Sequence, residues 1–371
     1  MVEIVKIGNK TMVVDNKLVR LFKGGKISVL AQYMGYPRFD NANNGEWSRY
    51  IKIPLTTIPN ESSQYKLVIT DSSLEIYSPT GSLKLSDSSS GVWDDFWEFV
   101  KNDGKDIRFF DNSFNQLYFK IEKFEPANKL AIVWFRVEPN ISEVNIAYGN
   151  PRALESSFHN GYKTFKICHD FENGTSELSF TTNAYPSDEV NFEPYGKFSG
   201  KVKGGTGSEE KITMIYTFPS SGIVIKRKFI YVAGRFQGHI FAWSQEGVGW
   251  TAPHVALGRT GMSYPADPNT ICYYTSDWNV TGWYVSPWIW NELMIVIDLD
   301  VGNWDLYLNG VQVVNDAGFV FGRNPKGVTT TEELIHADNG EGNPTDGYVD
   351  FYAELIPQDV TEFGTPTVFK F

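Results

Sequence analysis

The stretch Trp290 to Val314, WNELMIVIDLDVGNWDLYLNGVQVV, reads as consecutive antiparallel β-strands. Leu293, Ile295, Ile297 and Leu299 alternate with Met294, Val296, Asp298 and Asp300, the period of a strand with one buried face. Trp304, Leu306 and Leu308 take up the same period after a Gly302-Asn303 turn. Asn309-Gly310 then supplies the dipeptide best suited to a type I′ turn, whose two central residues need φ > 0, and Val311 to Val314 returns. Three strands in a sandwich core are expected here, and the larger half of the chain is organised around them.

The chain has 371 residues, long enough for two domains that each bury a core. A formal net charge of −11 argues against a nucleic-acid partner and against an anionic membrane surface, since both need concentrated Lys and Arg. No run of 18 apolar residues occurs, so no bilayer span is expected. The opening MVEIVKIGNK has neither the basic nor the apolar part of a secretory signal, which fits a trimmed chain or another route to its site. Cys168 and Cys272 leave two readings open, one bridge or two buried thiols. Seven of the eleven tryptophans fall between Trp243 and Trp304, so the aromatic excess is local.

Short strands and turns over residues 1–46 predict a β arm ending in the loop 40–45, DNANNG, and the arm is expected to pack on the body or on a neighbouring subunit. Strands are predicted at Ile51–Ile53, Lys66–Thr70, Ile107–Phe110 and Ala131–Val137, with one helical turn at Trp93–Val100. Asp94, Asp95 and Glu98 in that turn suit the helix dipole without any metal. Beyond residue 158, strands are predicted at Ser199–Lys203, Ile212–Phe218, Ile223–Val232 and Phe236–Trp243. Val248–Arg259 reads as a crossing loop and Asp346–Leu355 as a last strand. In the tail, Pro366 limits any extension of a sheet.

Trp278, Trp283, Tyr284 and Trp288, in the segment ICYYTSDWNVTGWYVSPWIW, are expected in a Gly/Pro/Ser-punctuated loop, where rings can be exposed as platforms for the C–H face of a pyranose. Asp277 and Asn279 are the polar neighbours suited to sugar hydroxyls, and Trp290 and Trp304 keep strand register and are expected in the core. Asn279-Val280-Thr281 is also a glycosylation sequon, whose use would block this place. The five histidines, 159, 169, 239, 254 and 336, show neither H-E-x-x-H nor zinc-ligand spacing. No nucleophile elbow or phosphate loop is present, and Asp188-Glu189 with Glu193, or Asp298 with Asp300, have the wrong order for a retaining glycosidase pair.

WSRYIKIPL, NDGKDIRFFDNSFNQLYFKIEKF, AIVWFRV and VNIAYGNPRA, in that order from Trp47 to about 155, resemble an uncharacterised β-sandwich family of archaeal and bacterial surface proteins. The later runs, HDFE at 169–172, the "L-Y-x-N-G" turn, GRN at 322–324 and DGYVDFYAEL, are similar to concanavalin-like and laminin-G-like domains. Together these imply an all-β chain: a β arm over 1–46, a small β-sandwich over 47–157, and a concanavalin-like jelly roll with its tail over 158–371. The resemblance implies calcium held between the first and last strands, matching Asp170 and Asp350 here. The function expected is non-catalytic binding of a glycan or glycoprotein, as an extracellular adhesion protein of a cell or virion surface. The alternatives are a capsid or filament subunit and, less favoured, a glycoside hydrolase.

Overall fold

The computed structural model describes the backbone of four strands between Val2 and Ala31, and then residues 39, 46–172, 175–192, 196–205, 209–258, 267–338, 345–357 and 362–370. It is all-β. The arm is a meander of Val2–Ile7, Lys10–Asp15, Leu18–Lys23 and Lys26–Ala31. The expected boundary loop at 40–45 and the packing of the arm's side chains lie outside the described residues.

The sandwich pairs two five-stranded sheets. One runs in the order Gln116–Leu117, Arg108–Asp111, Glu143–Tyr148, Arg49–Pro54, Thr367–Lys370, and the other in the order Phe119–Glu125, Leu130–Val137, Ser63–Ile69, Leu74–Tyr77, Leu83–Asp87. Alternate residues such as Ile51, Ile53, Leu67, Phe109, Val133, Phe135, Val144 and Ile146 meet between them. The helix Val92–Phe99 closes one side with Val92, Trp93 and Phe96. Its Asp95 accepts from the Tyr148 hydroxyl at 2.7 Å and pairs with Arg49 at 3.2 Å, a structural use of that carboxylate. The tail departs from expectation. Thr367–Lys370 pairs antiparallel with Arg49–Pro54 at the sheet edge, just past Pro366, where a missing N–H does no harm.

The stretches that carried the family resemblance close on one another. Trp47 Nε1 donates to the Asp106 carbonyl, and the Asp106 carboxylate accepts from the backbone N–H groups of Lys101, Gly149 and Asn150. Arg108 donates to the carbonyls of Lys105, Ile107 and Leu154 while lying 5.1 Å from the Trp47 ring. Gly149 has φ 82°, and a Cβ there would stand 2.5 Å from Ser48 Oγ, so glycine is required.

The jelly roll packs an eight-stranded sheet on a seven-stranded one. In the eight-stranded sheet Trp290–Asp298, Asn303–Leu308 and Val311–Gly318 are consecutive neighbours, with Leu293 opposite Leu308, Ile295 opposite Leu306 and Ile297 opposite Trp304. Asn309 (φ 49°) and Gly310 (φ 79°) form the expected left-handed turn. Trp304 is in the core, but Trp290 is half-buried, its Nε1 donating to the Asn191 carbonyl at 3.1 Å. The seven-stranded sheet runs Leu178–Phe180, Glu210–Thr217, Thr329–Ala337, Gly238–Gln245, Gly249–Leu257, Thr270–Tyr274, Trp278–Tyr284. One expectation is corrected here: the presumed crossing loop is the strand Gly249–Leu257. Thr329–Ala337 is a further strand beyond those expected, and residues 320–322 form a 3-10 turn.

The two bodies meet on the outer face of the eight-stranded sheet. Trp134 of the sandwich packs with Phe165, Cys168, Ile225, Phe229, Phe351, Ala353 and Leu355. Arg227, buried, reaches Glu122 of the sandwich at 2.9 and 3.0 Å and Glu292 at 2.5 Å, and Trp134 Nε1 also donates to Glu122. This coverage explains why Gly347–Leu355 is buried at every residue, as a central strand packed on both faces is. Cys168 and Cys272 are not bridged; each is a buried thiol in a different sheet, so the second of the two readings holds.

Candidate functional site

Among the described residues, the outer face of the seven-stranded sheet has no second sheet packed on it. Aromatic rings from three neighbouring strands line up across it. Trp250 lies 4.4 Å from His254, His254 lies 5.0 Å from Trp278, Trp278 lies 5.2 Å from Tyr274, and Tyr274 lies 5.6 Å from Phe321. Phe321, 57 % exposed, is presented by the 3-10 turn with φ 49°, its N–H bonded to the Thr275 carbonyl. Arg323 stands 5.1 Å from the Phe321 ring and donates to the carbonyls of Val248 and Trp250, tying this turn to the strand that carries Trp250.

Local irregularity aims these side chains. Opposite Ala242 and Trp243 the strand Gly249–Leu257 carries two unpaired residues, Ala252 (φ 56°) and Pro253, between Thr251 and His254. In Thr329–Ala337 the register passes from Glu333 to Ile335 and leaves Leu334 extra, which brings Glu333 and His336, three residues apart, to one face. A third irregularity leaves Ile240 out of its ladder with Gly249–Leu257. From the core side, the buried Lys228 Nζ donates to the carbonyls of both Ile240 and Leu334. Burial drives this lysine down to about 7, with nearby Glu332 opposing the shift.

Beside the aromatic band three of the five histidines gather. His239 and His336 are cross-strand neighbours, with Nδ1 atoms 3.1 Å apart, and His254 lies 4.5 Å from His239 ring to ring. Glu333 Oε2 is 2.7 Å from Nδ1 of His239 and 3.1 Å from Nδ1 of His336. Burial favours the neutral form of Glu333, but its bonds to the two histidines outweigh it and hold the carboxyl well below its usual range. Burial lowers His239, and the Glu333 hydrogen bond only partly offsets that. One nitrogen from each of His239 and His336 and an oxygen of Asp338 fall within 4.8 Å of one another. Spacing gave no sign of this group. The usable signal was a histidine set among apolar residues in GHIFAW and in PHVAL.

The aromatic residues singled out in the sequence do not form one platform. Trp278 belongs to the band, whereas Trp283 (43 % exposed) and Tyr284 (49 %) are adjacent on the edge strand Trp278–Tyr284 and so project to opposite sides. They stand on a strand, not the expected loop. Trp288 (62 %) sits in the turn before Trp290 with φ 65°, its ring against Gly234. Asp277 accepts from the Trp278 N–H, and Asn279 donates to the Asp277 carbonyl and Thr275, so both stabilise the turn between strands. Asp170 pairs with Lys120 at 2.9 Å, and Asp350 accepts from the N–H groups of Phe192 and Phe351. Each carboxylate is thus already served by protein donors.

Residues 103–182 match a family described as a domain of unknown function, DUF2341. The match starts after Trp47, includes Asp106, Arg108, Gly149 and Asn150, and runs past the sandwich through Ile167–His169 into Leu178–Phe180. No curated protein matches the chain. Among solved structures it is similar to a cellulose-induced protein, Cip1, at 14% identity over 52% of this chain and 97% of that one, TM-score 0.37. It is similar to domain 4 of AbnA, an extracellular arabinanase of Geobacillus stearothermophilus solved with arabinotriose, at 14% identity over 52% and 94%, TM-score 0.33. The C-terminal family 22 carbohydrate-binding module of Clostridium thermocellum Xyn10B is similar at 13% identity over 52% and 93%, TM-score 0.28. Likenesses this distant leave the function to be read from the site itself.

Among the described residues no helix is long and apolar enough to cross a membrane. The outer face of the seven-stranded sheet brings aromatic rings and titratable groups together.

Proposed function

We propose that the outer face of the seven-stranded sheet binds a carbohydrate chain without cleaving it. The observation that carries this reading is the unbroken band Trp250–His254–Trp278–Tyr274–Phe321, which crosses neighbouring strands and ends in an exposed ring. Neighbouring strands repeat every ~4.8 Å, so rings on successive strands, here meeting edge to face, set apolar surface in series along a polymer of pyranoses. Glu333, the buried carboxylate beside His239 and His336, is engaged by both histidines and poorly placed to act as a general acid.

An extracellular setting on a cell or virion surface belongs to the same proposal. So does calcium at Asp170 and Asp350, with the condition that a cation would have to displace the Lys120 ammonium. The test is a glycan and polysaccharide array with the full chain, with calcium and with chelator. Binding that Trp278→Ala weakens about tenfold, on the order of 1.4 kcal/mol, supports the reading. A folded protein that binds nothing on the array, or a Trp278→Ala variant that binds as well as wild type, overturns it. Loss on chelation supports the calcium pair, and unchanged binding removes it.

A further inference from the structure

We propose that His239, His336 and Asp338 form a site for a divalent transition-metal ion, with zinc the best match to two imidazoles and a carboxylate. His336 is the informative residue. It is 3 % exposed, and its Nε2 has no hydrogen-bond partner, a costly condition for a buried nitrogen. That atom faces two carboxylates, Glu209 Oε2 at 3.7 Å and Asp338 Oδ1 at 3.8 Å, too far for hydrogen bonds. Ligand atoms around a tetrahedral zinc, each 2.0–2.2 Å from the ion, stand roughly 3.4 Å apart. The 3.8 Å between His336 Nε2 and Asp338 Oδ1 is close to that spacing, and a small inward shift would let the two atoms share an ion.

The surroundings fit the same chemistry. Glu333 Oε2 lies 3.1 Å from Nδ1 of His336, and a proton on Nδ1 shared with that carboxylate leaves Nε2 as the nitrogen free to take a metal. The same carboxylate contacts Nδ1 of His239 and so orients both rings. Trp250, 5.1 Å from His239 and nearly perpendicular to it, supplies an apolar wall. Glu209, exposed, has its Oε2 3.7 Å from His336 Nε2 but is not one of the three residues whose ligand atoms converge, so a water would complete the shell. Nothing in this requires the sheet face to bind sugar, since the ligands are fixed by the two strands Gly238–Gln245 and Thr329–Ala337 and the residue that follows them.

The experiment uses the full chain, stripped with chelator and dialysed against zinc and, separately, cobalt. The expected result is one ion per chain by atomic absorption, visible d–d bands from cobalt, and a melting temperature that rises with zinc. His336→Gln should abolish uptake, and Glu333→Gln should weaken it on the order of tenfold. Asp338→Asn, a near-isosteric change at a half-buried position, keeps the test sound should His336→Gln fail to fold. Wild-type protein that is folded yet takes up neither metal overturns the proposal, as does unchanged uptake by Asp338→Asn together with His336→Gln.

Discussion

The jelly roll has two outer faces, and each carries a polar cluster assembled from separate strands. On the eight-stranded sheet, Arg227 meets Glu292 of its own sheet and Glu122 of the sandwich, with Trp134 laid across them. On the seven-stranded sheet, His239, His254, His336 and Glu333 gather beside rings that reach solvent. The first cluster is closed by a second body whose groups match it. The second keeps a buried nitrogen on His336 without a hydrogen bond. A covered polar face is an assembly device, whereas an uncovered one that still buries its histidines is where a ligand can add something.

Five measurements press on that contrast. Arg227→Ala leaves the buried Glu122 and the half-buried Glu292 without their cation and should cost about 3–5 kcal/mol in denaturant unfolding while sparing sugar binding. A loss of binding without a loss of stability would reverse the roles assigned to the two faces. Lys228→Met strips donors from the Ile240 and Leu334 carbonyls and should cost about 1–3 kcal/mol.

The same lysine makes a pH prediction. Its folded pKa, about 7, lies below its ordinary 10.5, so the unfolded chain binds the extra proton between those values. Its contribution to stability is complete above pH 10.5 and is lost as pH falls through 7. The wild-type protein should show this slope in unfolding titrations, and Lys228→Met should flatten it. Smaller again, Trp278→Ala should lower glycan affinity about tenfold with little change in melting temperature. Smallest, Trp283→Ala, at the strand edge away from the band, should change affinity by less than about threefold, near 0.6 kcal/mol. Equal losses from the two tryptophans would move the site from the sheet face to its edge.

What could be read from the amino acids follows from how regular each strand is. Leu293 to Leu308 alternates without interruption, so its strands, turn and buried face were all legible. Ile223–Val232 was legible too, although nothing in its pattern announced that Lys226 and Lys228 point into the core. Gly249–Leu257 failed as a strand reading because Ala252 and Pro253 break its period, and Thr329–Ala337 failed because its face is written in Thr, Glu and His with one extra residue at Leu334. Those irregular strands supply Trp250, His254, Glu333 and His336. The site was hard to see for the reason that it exists: bulges turn side chains out of alternation. Trp278 was found because aromatic density alone marks it, and Trp283, Tyr284 and Trp288 were grouped with it because linear proximity says nothing about which side of a strand a ring takes.

Gln64 carries a mechanical consequence. Its amide donates to the Thr164 carbonyl, where the chain enters the jelly roll, and its carbonyl accepts from the Ile356 N–H, where the chain leaves. The chain then runs back to the sandwich edge as Thr367–Lys370. A domain hung on one tether can swivel about it, but one whose two tethers are pinned side by side can only rock. Drag on a polymer held at the far sheet would therefore reach the sandwich as a bending load across the Arg227 contact, shared by two strands of chain.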